Sequence, residues 1–465
     1  MTRGKARRQT TRGSGGTKVS TARAVALEVL ELVASGLYAE NALSQVLSAC
    51  EASQRDRALA TELVYGVLRW RRRIDAALSR HLRYPKERLD PRIHHILQLA
   101  LYQILFLGRI PQHAVVNEAV TQARMHGGGR SAGFVNGILR NALRHLDILD
   151  PPPAQDAASL ARYYSHPTWL VRRWLDAYGN DTTLRILAQN NDRAPLDLRV
   201  NTLRTSTTEL KSMFEREEIA TEGVTALPNA LRIRTGGRPV ETLPGFAEGL
   251  FAVQGIASQL IAPLLCALPH ERILDTCAAP GGKTAHLAAL TENNAEIVGM
   301  DTNEARLEAM RANLARLGIK NICLRVADAR SPQGVTGLGE FDRILVDPAC
   351  TALGVLRHNP EAKYRLRPND PAAFARDQLA ILVNVSNLLK RGGLLVYSVC
   401  TTSSEETTEV VDRFLSLRQD FREDPFHTDE VPFSWAITPR GHLFTFPSPL
   451  GEALDGFFAA RFHRE

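Results

Sequence analysis

Leu274-Asp275-Thr276-Cys277-Ala278-Ala279-Pro280-Gly281-Gly282-Lys283-Thr284 is the stretch that decides how the second half of this chain folds. Arg272-Ile273-Leu274-Asp275 is a short apolar run bounded by a turn signal, which predicts a buried strand. Pro280-Gly281-Gly282 ends that run, and a helical pattern follows it. The two glycines let a ligand approach the backbone closely, and the helix N-terminus offers N–H groups to an anion. The string is neither GxxxxGK(S/T) nor GxGxxG, which argues against a nucleoside triphosphate and against a dinucleotide.

Outward from this turn the pattern repeats. Glu296 to Asp301 reads as a strand, and Glu304 to Leu317 as an amphipathic helix ended by Gly318. Ile322 to Val326, Ile344 to Asp347 and Leu394 to Tyr397 supply further strands. Alternation of this kind predicts a doubly wound, mostly parallel α/β sheet from about Gln254 onward. Ligands in such sheets bind at the carboxyl ends of the strands. Asp275, Asp301 and Asp347 each close a strand, and Asp328 closely follows one. Asp301 lies 19 residues after Gly282, near the spacing at which an acid takes ribose hydroxyls. A nucleoside that carries a carboxylate suits this set, and S-adenosylmethionine is such a molecule. Helix-capping aspartates and a structural turn are the plainer reading; three strand-end acids in order favour the ligand.

Of six cysteines, two sit just past strand ends: Cys350 three residues after Asp347, and Cys400 three after Tyr397. A thiolate that adds to carbon 6 of cytosine turns carbon 5 into an enamine able to take a methyl group. Asp347 is placed to assist at N3. Cys50, Cys266 and Cys323 are expected to be buried and inert. No CxxC or His pairing has metal spacing, so no metal and no disulfide frame is expected.

Upstream the chain changes character. Residues 1–18 hold six Lys/Arg and no acid, and read as a disordered basic tail ending near residue 19. Residues 20–149 show helical spacing throughout, for example Ile93, Ile96, Leu97, Leu101 and Ile104, and predict a small all-α bundle. Residues 19–150 carry 17 basic and 12 acidic side chains, so the basic excess lies at this end and points to a polyanionic partner. Pro151-Pro152-Pro153 opens a linker, and residues 150–252 read as a small α+β module. Residues 253–465 are expected to form the domain that binds S-adenosylmethionine and transfers the methyl group. No apolar run is long enough to span a membrane, and a cytoplasmic protein is expected.

These strings resemble the NOL1/NOP2/Sun-type RNA 5-methylcytosine methyltransferases, in particular the NusB-fused, Sun-like kind that acts on small-subunit ribosomal RNA. The resemblance is carried by Leu274 to Thr284, by Gln378, by Gly392-Gly393 with Val396-Tyr397-Ser398, and by Asp455-Gly456-Phe457-Phe458-Ala459. Ala60 to Arg69 and Val135 to Arg140 look like a NusB-like RNA-binding domain. The resemblance implies a Rossmann-like methyltransferase domain and S-adenosylmethionine as cofactor. It implies that Cys277, Ala278, Ala279, Pro280, Gly281, Gly282 and Lys283 form the cofactor loop. It places Asp301 on the ribose, Asp328 near the adenine and Asp347 between cofactor and base. Cys400 would be the nucleophile, and Cys350 would help release the product. RNA, 16S ribosomal RNA in particular, is the implied partner, and a monomer is expected.

The chain departs from the family pattern in three places. Asp347-Pro348-Ala349-Cys350 stands for Asp-Ala-Pro-Cys, Val399-Cys400-Thr401 for Thr-Cys-Ser, and Gln254-Gly255 for Gln-Asp. Glu405-Glu406 reads as an ordinary helix start without a catalytic role. Lys363, Tyr364, Arg365 and Arg367 are read as a cation–aromatic patch for a flipped nucleotide. The Arg69, Arg71, Arg72, Arg73 cluster is read either as a solvated face or as a phosphate contact. The competing functions are a catalytically weakened RNA-binding or ribosome-assembly factor, and cytosine methylation of another RNA or of DNA.

Overall fold

The computed structural model describes residues 20–146, 153–224, 226–234, 238–446 and 454–465. The basic tail and Pro151-Pro152 lie outside these. The chain divides into two compact units, residues 1–154 and 155–465.

The first unit is all helical: α1 (Thr21–Ala34), α2 (Ala39–Ser48), α3 (Gln54–Ser79), α4 (Pro91–Phe106) and α5 (Gln112–Arg144). Ser53 caps α3 by accepting from Asp56 N, and Asp90 caps α4 by accepting from Ile93 N. Gly127 and Gly128 kink α5 into two segments. Tyr65-Gly66-Val67 has a packing reason: a Cβ on Gly66 would lie 2.0 Å from the Tyr102 ring, whose hydroxyl donates to Glu62 at 2.6 Å. His94 bonds buried Asp75 at 2.9 Å, and burial lowers the His95 pKa to about 4, so this pair serves the bundle interior. The arginine cluster is not one solvated face. Arg69 is buried, and Arg73 lies over the Trp70 and Phe106 rings at 5.1 and 5.5 Å.

The second unit opens with α6 (Ala157–Tyr163) and α7 (Thr168–Gln189). A small antiparallel sheet follows: β1 (Leu196–Val200), β2 (Thr221–Val224), β3 (Leu227–Ile233) and β4 (Phe251–Val253), in the order β2-β3-β1-β4. α8 (Thr207–Arg216) covers it, its N-terminus closed by a capping box between Ser206 and Glu209.

The large sheet then begins with β5 (Arg272–Thr276), α9 (Gly282–Leu290), β6 (Glu296–Asp301), α10 (Glu304–Leu317), β7 (Ile322–Val326) and β8 (Phe341–Val346). It continues with α11 (Asp370–Ser386), β9 (Leu389–Val399), α12 (Thr408–Leu417), β10 (Phe421–Glu423), β11 (Leu443–Phe444) and β12 (Phe458–Arg464). The order is β10-β12-β9-β8-β5-β6-β7, with β11 on β12. The five strands β9, β8, β5, β6 and β7 are parallel, and β12 runs antiparallel to β9. β9 starts five residues before the expected Leu394. β5 and β8 are covered on both faces at the sheet centre, which is why the consecutive residues Ile273-Leu274 and Ile344-Leu345-Val346 are all apolar and buried. Leu274, Ile344 and Leu395 are fully buried at the sheet centre. Truncating any one to alanine costs about 2–5 kcal/mol. After β5 the chain winds outward through β6 and β7, then returns to β8 on the other side. The strand order therefore reverses between β5 and β8, and that crevice is where such sheets take ligands.

Candidate active site

Parallel register sets the site before any side chain is considered. Thr276 pairs with Val346, and Val346 with Tyr397. The next residue on each strand, Cys277, Asp347 and Ser398, therefore stands at one edge. Ser398 donates to Asp347 Oδ1 at 2.7 Å, and Lys283 Nζ donates to Asp347 Oδ2 at 2.6 Å. Burial opposes a charge on Lys283, but Asp347 beside it outweighs burial and its pKa is raised. Lys283 also lies 5.3 Å from the Phe457 ring.

A cleft of about 440 Å³ opens at the reversal point. Asp301, Asp328 and Asp347 line it together with Cys350 and Cys400, and Ala279, Phe374 and Ile381 give it apolar wall. This is a fit for a nucleoside: carboxylates at the strand ends and apolar surface between them. Asp301 is nearly buried; its Oδ1 accepts from Asn303 N at 2.9 Å, and Arg306 lies 3.3 Å from Oδ2. Asp328 pairs with Arg330 at 2.8 Å, and the bonds from Arg330 lower its pKa.

Of the loop Cys277 to Lys283, Cys277 and Ala279 line the cleft. Ala278 packs into the core beside Met310, and Pro280 is exposed. Gly281 has φ +96°, and a Cβ there would meet Met310 Cγ at 2.7 Å, so helix packing demands this glycine. Asp275 lies behind the loop, fully buried and bonded by Thr284 at 2.6 Å; burial pushes its pKa up to about 7. Burial, reinforced by the carboxylates of Asp347, Asp301 and Asp275, pushes the Cys277 thiol up to about 12, which makes it a poor nucleophile.

The Cys350 and Cys400 sulfurs lie 3.3 Å apart. Cys400 follows directly on β9, and Cys350 sits on the loop after β8. Three backbone segments are laced there: Gly354 N donates to Cys400 O at 3.0 Å, and Gly456 N donates to Gly354 O at 2.7 Å. A Cβ on Gly354 would lie 1.9 Å from Gly456 O, so only glycine allows this approach. Asp455 anchors the third segment through Arg357 at 2.7 Å and His358 at 2.9 Å. The Cys350 thiol is pushed well up, first by the neighbouring Cys400 and then by burial.

Several expectations need correction. Glu406 is not a solvated helix start: its side chain is fully buried beneath the cysteines, while Glu405 forms an ion pair with Arg173. Lys363 is buried, with Nζ 3.4 Å from Asn191 Oδ1, and the Tyr364 hydroxyl donates to Ser165 O at 2.8 Å. That segment packs on the α6–α7 region and lines no part of the cleft. Cys266 and Cys323 are exposed, not buried, because one ends a short helical turn and the other lies on edge strand β7. Among the described residues, no group of His, Cys, Asp and Glu has the arrangement of a metal site, and no helix is long and apolar enough to cross a membrane.

Residues 262–463 match the family described as 16S rRNA methyltransferase RsmB/F. Residues 20–144 match the NusB family, and residues 166–241 the ferredoxin-like domain of RsmF/B-like methyltransferases. The ribosomal RNA small subunit methyltransferase B of Vibrio cholerae is 38% identical over 93% of this chain and 97% of its own. That of Salmonella typhi is 35% identical over 96% and 99%. The crystal structure of PH0851 superposes with a TM-score of 0.80 at 26% identity, covering 96% of this chain and 100% of that one. NSun6 from Pyrococcus horikoshii, solved with SFG, shares the fold at TM-score 0.56 and 24% identity, over 64% of this chain and 98% of its own.

Proposed function

Because the chain belongs to the RsmB/F family of S-adenosylmethionine-dependent 16S rRNA methyltransferases, we propose that it methylates carbon 5 of a cytosine through a covalent bond to Cys400. The observation that carries this reading is the pair of sulfurs, 3.3 Å apart, on the wall of the cleft that also holds Asp301 and Asp347. Bound S-adenosylmethionine supplies an electrophilic methyl group.

The chain's own residues do the rest. Asp301 takes the ribose hydroxyls, with Asp328 toward the adenine side. Asp347, held from both sides by Lys283 and Ser398, faces the cytosine N3 and amino edge. The Cys400 thiolate adds to carbon 6, and the electron pair of the 5,6 double bond moves to carbon 5, which takes the methyl group. Once Cys400 is a thioether, the main influence holding the Cys350 proton is gone. Cys350, once its own proton has passed to water in the cleft that it lines, removes the proton from carbon 5. The double bond re-forms as the Cys400–carbon 6 bond breaks, and the Cys400 thiolate is restored.

The departures from the family pattern leave these groups in place. Val399 is buried in the sheet core, and Thr401 keeps a hydroxyl after the nucleophile. The test is bisulfite sequencing of 16S ribosomal RNA from cells with and without this protein. One cytosine that converts only in the deletion strain supports the reading; an identical pattern in both strains removes it. A second reading, an assembly factor with decayed chemistry, is favoured only by the shifted Pro348. It predicts no binding of labelled S-adenosylmethionine.

A further inference from the structure

Glu406 has no place in the chemistry above, yet it is the most completely bonded side chain near it. Its carboxylate accepts from Thr351 N at 2.8 Å, from Gln378 Nε2 at 3.1 Å and from Thr401 Oγ1 at 3.2 Å, as well as from the Thr351 hydroxyl. The Thr351 and Thr401 hydroxyls are themselves 2.7 Å apart. Gln378 also donates to Ala349 O at 3.0 Å, and the Tyr397 hydroxyl lies 2.6 Å from Glu406 O and 2.9 Å from Gln378 Oε1. The ring of bonds is closed. It joins the residue after Cys350 and the residue after Cys400 to Glu406 directly, and the residue before Cys350 through Gln378.

Burying a carboxylate is costly unless its oxygens are fully bonded. Here the donors are neutral: two hydroxyls, a side-chain amide and a backbone N–H. A plain helix cap needs no such burial, and an ion pair would have brought a cation. What this arrangement does achieve is to fix two loops that come from different strands, 50 residues apart in sequence. Each cysteine is followed by a threonine, and each threonine is tied to the same carboxylate. Burial raises the Glu406 pKa while the bonds from Thr351, Gln378 and Thr401 oppose that rise, so the carboxylate and its donors hold one another in place.

We propose that Glu406 is a positioning residue that clamps the two cysteine loops together and so holds Cys400 in place to add to carbon 6 of the base. This rests on the two-cysteine reading given above. Glu406 is absent from the cleft lining, so its loss should spare the cofactor.

The experiment uses the full chain, S-adenosylmethionine and an RNA in which cytidine is replaced by 5-fluorocytidine. After methyl transfer the fluorine cannot leave as a proton does, so the Cys400–carbon 6 bond persists and the trapped RNA is read on a denaturing gel. Glu406→Ala should slow trapping roughly a hundredfold, the scale of a small misplacement of reacting groups. Its S-adenosylmethionine affinity and RNA KM should stay unchanged. Glu406→Gln can still accept from Thr351 N and meet the hydroxyls, and should recover trapping to within about tenfold of wild type. Thr401→Val removes one tie at near-constant volume and should fall between the two; it decides the matter if Glu406→Ala does not fold. Wild-type trapping rates in Glu406→Ala or Thr401→Val would overturn the clamp. So would Glu406→Gln as slow as Glu406→Ala, which would make charge the operative property. If the wild-type protein itself traps no 5-fluorocytidine RNA, the two-cysteine reading fails instead.

Discussion

Lys283 and Asp347, from the helix after β5 and the strand end of β8, meet at 2.6 Å across the point where the strand order reverses. The contact joins the cofactor loop to the proposed base-facing acid. Lys283→Met leaves Asp347 held by Ser398 alone. Single-turnover methylation should slow by roughly 10²–10³-fold, the loss typical of removing one preorganised hydrogen-bond donor. Calorimetry on the same variant separates this role from the cofactor contact that the family resemblance implies for Lys283: little change in S-adenosylmethionine affinity supports the tie to Asp347, and a large loss supports the cofactor contact.

The two cysteines should separate by step. Cys400→Ser should abolish methylation and leave no covalent RNA adduct, since a serine hydroxyl is a far weaker nucleophile at neutral pH. Cys350→Ala should attack and methylate but release slowly, so an adduct should accumulate on a denaturing gel with ordinary RNA. An adduct in Cys400→Ser and none in Cys350→Ala would exchange the two roles.

Asp301 is nearly buried and lines the cleft. Asp301→Ala should weaken S-adenosylmethionine binding by about 1–3 kcal/mol, the range for losing a hydrogen bond made by a charged group. Unchanged affinity by calorimetry would take Asp301 out of the site.

Asp275 gives a pH signature. Its carboxyl is pushed by burial from an ordinary 3.8 up to about 7. The folded protein therefore keeps a proton that the unfolded chain has already lost. The associated stability is fully present below about pH 4 and is lost as pH rises to about 7, with no further change above that. Asp275→Asn removes the titration. Thermal melts of cofactor-free wild type and variant should converge at low pH and diverge toward pH 7, wild type falling relative to the variant. A difference independent of pH would show that the Asp275 environment does not favour the protonated form.

The basic excess of residues 1–150 should appear in salt dependence. Binding to 16S ribosomal RNA should weaken as salt rises, and removing residues 1–150 should flatten the slope of log affinity against log salt. An equal slope in the truncated protein would place the electrostatic anchor in the second unit.

What was legible in the sequence follows from burial. A parallel strand covered on both faces leaves an unbroken apolar run, so Ile273-Leu274 and Ile344-Leu345 marked their strands, and the strand ends marked Asp301, Asp347, Cys350 and Cys400. Glu406 was illegible because a glutamate before a helix looks solvated. Only the meeting of two loops 50 residues apart buries it. The repeated dipeptide, Cys350-Thr351 and Cys400-Thr401, was the available signal. Lys363 and Tyr364 misled for the converse reason. A cation–aromatic pattern suits a nucleotide and a buried packing contact equally, and Asn191 and Ser165 lie far off in the chain. Gly281 was read from its proximity to a ligand, whereas Met310 beneath it supplies the constraint.

The reversal of strand order between β5 and β8 also bears on how such a protein diverges. The proposed donor-side groups, Asp301 and Asp328, hang from strands on one flank, and the acceptor-side groups, Cys350, Cys400 and the Asp455 segment, from strands on the other. Lys283 with Asp347 is the single described side-chain bond that joins the cofactor loop to the acceptor flank's acid. On the proposed assignment, substitutions on the β9–β12 flank act on the acceptor side of the cleft and leave the strands that carry Asp301 and Asp328 untouched, so the two halves of the site are free to vary separately.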